Sequence, residues 1–292
     1  MPAETKRGHA QVISVAIPLL AALASMIGNS EIPERSSARS RLARADRSFE
    51  VQLPDLPGVL QDEEYCLLTM HGLTRTLQFH NYGPIFDVSG LCEHLFEHLF
   101  EHLLHCSSPR LVVSLLTEVM RATEESVTAQ RVLAVEAGNG AVSSELRLAG
   151  LRHTWGLDRD GSAHNAALRD RPSVYNDYLV ADASSLSEVV DTIVEGIAPT
   201  CLACTGAIGF DGPPVSAFAD VAELLPTGGW PATTLHEYLV DDALNLLVTR
   251  GLTLWHWERY QHWLAVDGRP ILLRLLNRFG ARETGPYGLL EG

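Results

Sequence analysis

Residues 131–158 read RVLAVEAGNG, AVSSELRLAG, LRHTWGLD. An apolar run enters a tight turn with two glycines, a helical stretch follows, and a second apolar run ends in an acid. The pattern predicts a strand over 131–136, a helix over 141–149 and a strand over 153–158. In an α/β fold this succession holds a nucleotide-like ligand. The glycines let backbone come close, the helix start offers N–H groups, and the acid accepts from ribose hydroxyls.

The same rhythm continues downstream. Strands are expected at 178–182, 200–206 and 229–234, with helices at 161–169, 185–195, 214–225 and 239–249. Such alternation implies a parallel sheet with crossover helices on both faces. The ending breaks the rhythm. LTLWHWERYQHWLAV and RPILLRLLNRF flank Asp267-Gly268, a strong hairpin signal. A parallel sheet closed by an antiparallel hairpin is a specific arrangement.

Upstream, EYCLLTM and TRTLQFH, separated by His71-Gly72, read as a small hairpin. GLCEHLFEHLFEHLLH, residues 90–105, reads as an amphipathic helix with Glu93, Glu97 and Glu101 on one stripe and His94, His98 and His102 beside it. Ser107-Ser108-Pro109 ends that helix and starts another over SPRLVVSLLTEVMRAT.

With 292 residues, 46% of them hydrophobic, the chain can bury a sizeable core. A net charge of −14 argues against a nucleic-acid duplex as partner, which needs a basic face. The five cysteines are odd in number and sit in a large chain, so a disulfide framework is not expected. Cys201 and Cys204 form a CxxC inside the apolar run CLACTGAIGF, which reads as a buried strand rather than a metal or redox site. The N-terminus pairs Lys6 and Arg7 with an apolar stretch over 12–28, in the manner of a signal peptide. Pro18 interrupts it and it is short for a membrane span, so the preferred reading is a helix packed on the domain or against a second copy in a homodimer. The remainder of the chain has the character of a cytoplasmic enzyme. An Arg- and Ser-rich linker follows to residue 48, which suggests three regions: 1–48, 49–125 and 126–292.

At this point the residues resemble the class I S-adenosylmethionine-dependent methyltransferases, in the branch that acts on small molecules. The resemblance covers about residues 110–280. It rests on the turn AGNG, the acid in GLDRD, the further acid in YLVADAS, the segment AFADVAELLPTGGW and the closing hairpin, in that order. It implies a Rossmann-like seven-stranded sheet with a terminal antiparallel hairpin, preceded by a mostly helical N-terminal part. It also implies S-adenosylmethionine as cofactor and a small-molecule acceptor.

Carried over by position, the cofactor site comprises Glu136, Ala137, Gly138, Asn139, Gly140, Asp158, Arg159, Asp182, Ala183, Cys204 and Thr205. Gly138 and Gly140 would line the cofactor's amino-acid end. Asp158 would accept from both ribose hydroxyls, a task suited to an acceptor-only carboxylate. Asp182, beside Ala183, would meet the adenine amino group. Cys204 and the residues after it would face the sulfonium. The family pattern, acid-x-Gly-x-Gly-x-Gly, is altered here. Aligned on its last two glycines, it places Ala134 at the acid and Glu136 at the first glycine. In the other register Glu136 is the acid and Val142 replaces the third glycine. Spacing to Asp158 favours the first register. Candidate catalytic bases are His236 and Glu237 past the fifth strand, with His80 and Tyr82 in a lid.

Two other classes stand beside this reading. The altered first motif suits a repurposed, non-catalytic cofactor-binding protein. His94-Leu-Phe-Glu97-His98 and its repeat through His102 match HxxEH, the zinc-binding pattern of some metallopeptidases. A tetrapeptide EHLF repeated in register generates that match by itself, so no metal ligand is assigned.

Overall fold

The computed structural model describes residues 49–52, 63–79, 81–95, 106–208, 212–236, 239–252, 256–264 and 270–277. Three strands come first: β1 (Phe49–Gln52), β2 (Tyr65–Met70) and β3 (Leu73–Gln78). They form an antiparallel sheet in the order β1-β2-β3. The hairpin expected at His71-Gly72 is present, joining Met70 to Leu73. The mostly helical N-terminal part is therefore corrected for residues 49–78. Side chains alternate along β2, with Cys66 and Leu68 inward, and that period of two sets strand over helix.

Two short helices follow, α1 (Tyr82–Phe86) and α2 (Leu91–His94), then the longer α3 (Ser108–Ala122), which carries Pro109 in its first turn. Beyond residue 95, the repeat expected as helix over 90–105 lies outside the described residues. The apolar segment 12–28 and the linker do too.

The second half alternates as expected. Its elements are β4 (Arg131–Val135), α4 (Ala141–Leu148), β5 (His153–Asp158), α5 (Gly161–Asp170), β6 (Asp177–Val180), β7 (Cys201–Ile208), α6 (Val215–Ala222), β8 (Trp230–His236), α7 (Val240–Thr249), β9 (His256–Leu264) and β10 (Pro270–Asn277). One expected helix is corrected. Residues 185–195 form a 3₁₀ turn at Leu186–Glu188 and a wide π turn at Thr192–Ile197. The β-branched run from Val189 to Val194 crowds a regular α-helix. Ile193 and Ile197 still reach the core.

The seven strands run β6-β5-β4-β7-β8-β10-β9. The first five are parallel, while β10 is antiparallel to both neighbours. The closing hairpin is thus present, although Asp267-Gly268 lies outside the described residues. The order reverses between β4 and β7. There the crossovers leave in opposite directions, and in sheets of this kind the carboxyl ends of the strands beside such a reversal are the usual place for a ligand.

Both faces of the parallel strands are covered, which explains their unbroken apolar runs. Val132, Ala134, Cys201, Ala203 and Ala232 face one core with α3 and α4. Leu133, Val135, Leu202 and Cys204 face the other with the π turn, α6 and α7. Cys201 and Cys204, three apart on one strand, therefore point to opposite faces. Both are buried and unpaired, and the strand reading of the CxxC holds. A third core joins the N-terminal sheet and residues 85–95 to Ala163 and Ala166 of α5.

Candidate functional site

The glycine turn leaves β4 at Glu136, whose φ is +52°, in the left-handed region that favours glycine. Glu136, Gly138 and Gly140 thus all take positive φ, alternating along the turn. Ala137 then donates to Leu157 O at 3.1 Å, extending the ladder with β5 by one bond. Gly138, also left-handed, donates its N–H to Asp158 Oδ2 at 2.9 Å. Gly140 has φ +93° and caps α4, and a Cβ on it would lie 2.8 Å from Val174 Cγ1. Its missing side chain lets the turn seat against the loop before β6.

Asp158 is only 7% exposed at the end of β5. Its Oδ2 is held by Gly138 and its Oδ1 accepts from Asp160 N–H at 2.9 Å. Burial raises its carboxyl above the ordinary range, while the two N–H groups oppose that shift. Arg159 beside it is exposed.

Two tyrosines support the turn from behind. Tyr175 Oη donates to Ala137 O at 3.0 Å and Tyr178 Oη to Gly138 O at 2.9 Å. Tyr178 is stacked by His164, with ring centres 4.8 Å apart, and is met edge-on by Tyr175 at 5.2 Å. Its ring crosses Gly156 of β5, where a Cβ would lie 2.5 Å from Tyr178 Cδ2. Sequence reasoning missed both tyrosines. The one available signal was a glycine inside a buried strand, which marks a close approach.

Residues 82–95 reach the turn from above. Phe86 Cζ would be 3.6 Å from a Cβ on Gly138. Asn139, 2% exposed, donates through Nδ2 to Glu93 Oε1 at 2.7 Å. Tyr82 stacks on Phe86 at 5.9 Å, one ring removed from the turn. Burial pushes its hydroxyl well above the ordinary range, which ill suits a general base.

Asp182 follows β6 and is exposed, with Oδ1 accepting from Ser184 N–H at 2.7 Å. That bond steadies the start of the 3₁₀ turn, and Ala183 beside it is buried in the core. Cys204 is buried within β7 and Thr205 is half-buried next to it. Burial pushes the Cys204 thiol up, and Glu136 pushes the same way. His236, half-buried, ends β8 opposite Leu273. Glu237 and His80 lie outside the described residues. Of the expected site residues, the turn 136–140 and Asp158 are joined by hydrogen bonds, and the charges of Arg159 and Asp182 act on Glu136.

Electrostatically the edge is acidic. Burial raises Glu136 to about 7, with Asp158 and Asp182 pushing the same way and Arg159 opposing. A raised carboxyl favours the folded state below its unfolded value, near 4.5, and that contribution is lost as pH rises through about 7. Glu136→Gln should therefore raise stability at pH 8 by about 1–2 kcal/mol, after discounting for solvent screening. It should raise it little at pH 4. Urea melts at the two values test this, and an equal change at both would contradict it.

No protein-family model matches the chain, and no match was found among the curated proteins. Similar solved structures are S-adenosylmethionine-dependent methyltransferases at low identity. A magnesium protoporphyrin IX methyltransferase of Synechocystis with bound S-adenosylmethionine is 14% identical, with a TM-score of 0.45 over 59% of this chain and 79% of that one. A putative RNA methyltransferase of Pyrococcus horikoshii is 11% identical, with a TM-score of 0.46 over 59% and 83%. An S-adenosylmethionine-dependent methyltransferase of Mesorhizobium loti is 17% identical, with a TM-score of 0.43 over 55% and 96%. The fold itself, five parallel strands closed by an antiparallel hairpin, is the one that the sequence resemblance to class I methyltransferases implies.

Proposed function

We propose that the protein binds S-adenosylmethionine at the carboxyl edge of β4, β5 and β6 and transfers its methyl group to a small-molecule acceptor. The observation that carries this reading is the bond from Gly138 N–H to Asp158, which joins the glycine turn after β4, the strand bordering the switch point, to the acid that ends β5.

The residues present fit that cofactor. Glu136, Asp158 and Asp182 form an acidic edge opposed by Arg159, which suits a ligand bearing a sulfonium and an ammonium. Each Asp158 oxygen accepts one backbone N–H, and a carboxylate oxygen has a second site for a ribose hydroxyl. Glu136 would pair with the ammonium and so take over from the acid missing at Ala134. When bound, the sulfonium supplies an electrophilic methyl group. The chain's own contribution is alignment and the exclusion of water by Phe86 and its neighbours. A base is needed only when the acceptor carries a proton, and His236 or Glu237 would serve.

A small acceptor is favoured by the net charge of −14, which disfavours polyanions. The five described cysteines are all unpaired and buried, in keeping with a reducing, cytoplasmic setting. No described helix is long and apolar enough to cross a membrane. A second reading, binding without turnover, is favoured by the glutamate at a glycine position.

A thermal-shift panel tests the cofactor. S-adenosylmethionine and S-adenosylhomocysteine should raise Tm at 1 mM, whereas ATP and NAD should not. Stabilisation by NAD alone would replace this reading with a dehydrogenase-type site. Because a cation favours ionised Glu136, affinity for S-adenosylmethionine should rise between pH 6 and pH 8. In Glu136→Gln that rise should shrink.

A further inference from the structure

We propose that Glu93 is a positioning residue for this site, holding the glycine turn in its ligand-ready shape and making the docking of residues 82–95 a condition of binding. The inference rests on the cofactor reading above and adds a residue that neither motif nor spacing assigned.

Two paths lead from Glu93 to the turn. The first is direct, from Asn139 Nδ2 to Glu93 Oε1 at 2.7 Å. Asn139 is the middle residue of Gly138-Asn139-Gly140 and is buried, so this bond ties the centre of the turn to α2. The second runs through Arg171, whose Nε lies 3.3 Å from the same Glu93 oxygen. Arg171 Nη1 donates to Ser144 Oγ at 3.0 Å, and Ser144 Oγ donates to Gly140 O at 3.1 Å. One carboxylate on α2 thus braces both ends of the turn.

The same segment is fastened around Glu93. Arg169 Nη2 donates to Phe86 O at 2.9 Å and to Val88 O at 3.4 Å. Asp170 Oδ1 accepts from Gly90 N–H at 3.4 Å and is paired with Arg169. The sequence Arg169-Asp170-Arg171, at the end of α5, therefore grips residues 86–93 at four points. The charged groups acting on Glu93 are Arg171, Asp170 and Arg169, and Cys92 is buried beside it. Phe86 closes the arrangement over Gly138. Here every contact converges on the turn or on the strap that covers it.

Glu93→Ala and Glu93→Gln separate the possibilities, because glutamine keeps an acceptor for Asn139 but loses the ion pair. In the cofactor-free protein, hydrogen exchange of Glu93→Ala should quicken about tenfold, and together, at residues 138–140 and 82–95. Its Kd for S-adenosylmethionine should rise about tenfold by calorimetry, while Glu93→Gln stays within about threefold of wild type. Asn139→Ala removes the bond from the other side. The double variant with Glu93→Ala should bind no worse than the weaker single variant. Equal loss in the glutamine and alanine variants, or exchange at the turn unchanged in Glu93→Ala, overturns the proposal. Should wild type bind no S-adenosylmethionine, the cofactor reading fails. The exchange data still decide whether Glu93 positions the turn.

Discussion

Asp158→Ala is expected to weaken S-adenosylmethionine binding about 5- to 150-fold, the equivalent of about 1–3 kcal/mol. The side chain stands at two junctions. It receives Gly138 and Asp160 N–H groups, and each of its oxygens keeps a further acceptor site for the proposed ribose hydroxyls. Removing this buried side chain leaves both donors without their partner. Stability falls less than affinity, because the buried carboxyl also carries a desolvation cost that alanine does not. Asp158→Asn is the sharper probe. Its amide can accept at only one oxygen, so either Gly138 or Asp160 loses its partner. An Asp158→Ala protein with wild-type affinity would remove the ribose role.

Gly156→Ala should cost about 2–4 kcal/mol of stability, more than a buried methyl group alone would suggest. The new Cβ would lie 2.5 Å from Tyr178 Cδ2 and 2.7 Å from Cε2. The ring has nowhere to go. His164 stacks on it, Tyr175 meets its edge, and its hydroxyl is bonded to Gly138 O. Displacing the ring therefore disturbs the glycine turn, and cofactor affinity should fall together with Tm. At about 2–4 °C per kcal/mol, Tm should drop by about 4–16 °C. Pairing the substitution with Tyr178→Leu should recover part of the stability and none of the support for the turn. A Gly156→Ala protein that melts within 1 °C of wild type would show that the ring is free to move.

The alternation from β4 to β8 was legible because parallel strands buried on both faces announce themselves as apolar runs between turns. The closing hairpin was legible from Asp267-Gly268 and two long β-rich segments. The three-stranded sheet was only half legible. Its hairpin showed in His71-Gly72, but β1 is only four residues long, too short for its alternation to stand out. The 185–195 segment was misread because its apolar spacing suits a helix while its β-branched run does not. At the site, the turn and Asp158 could be found from spacing. Tyr175, Tyr178 and Glu93 could not, since each acts through a fold contact distant in sequence. Glu93 was visible only as the first acid of a repeat, and its partners Asn139 and Arg171 lie 46 and 78 residues away. Glu136 was noticed as an anomaly. Its left-handed backbone shows that the chain keeps a glycine's conformation at that position without the glycine.

The central claim, that S-adenosylmethionine is held at the Asp158 edge, is tested most directly by isothermal titration of the intact chain at pH 8. One molecule of S-adenosylmethionine should bind per chain with a Kd below about 1 mM, and Asp158→Ala should bind it more weakly. No heat of binding from S-adenosylmethionine or S-adenosylhomocysteine at millimolar concentration would contradict it.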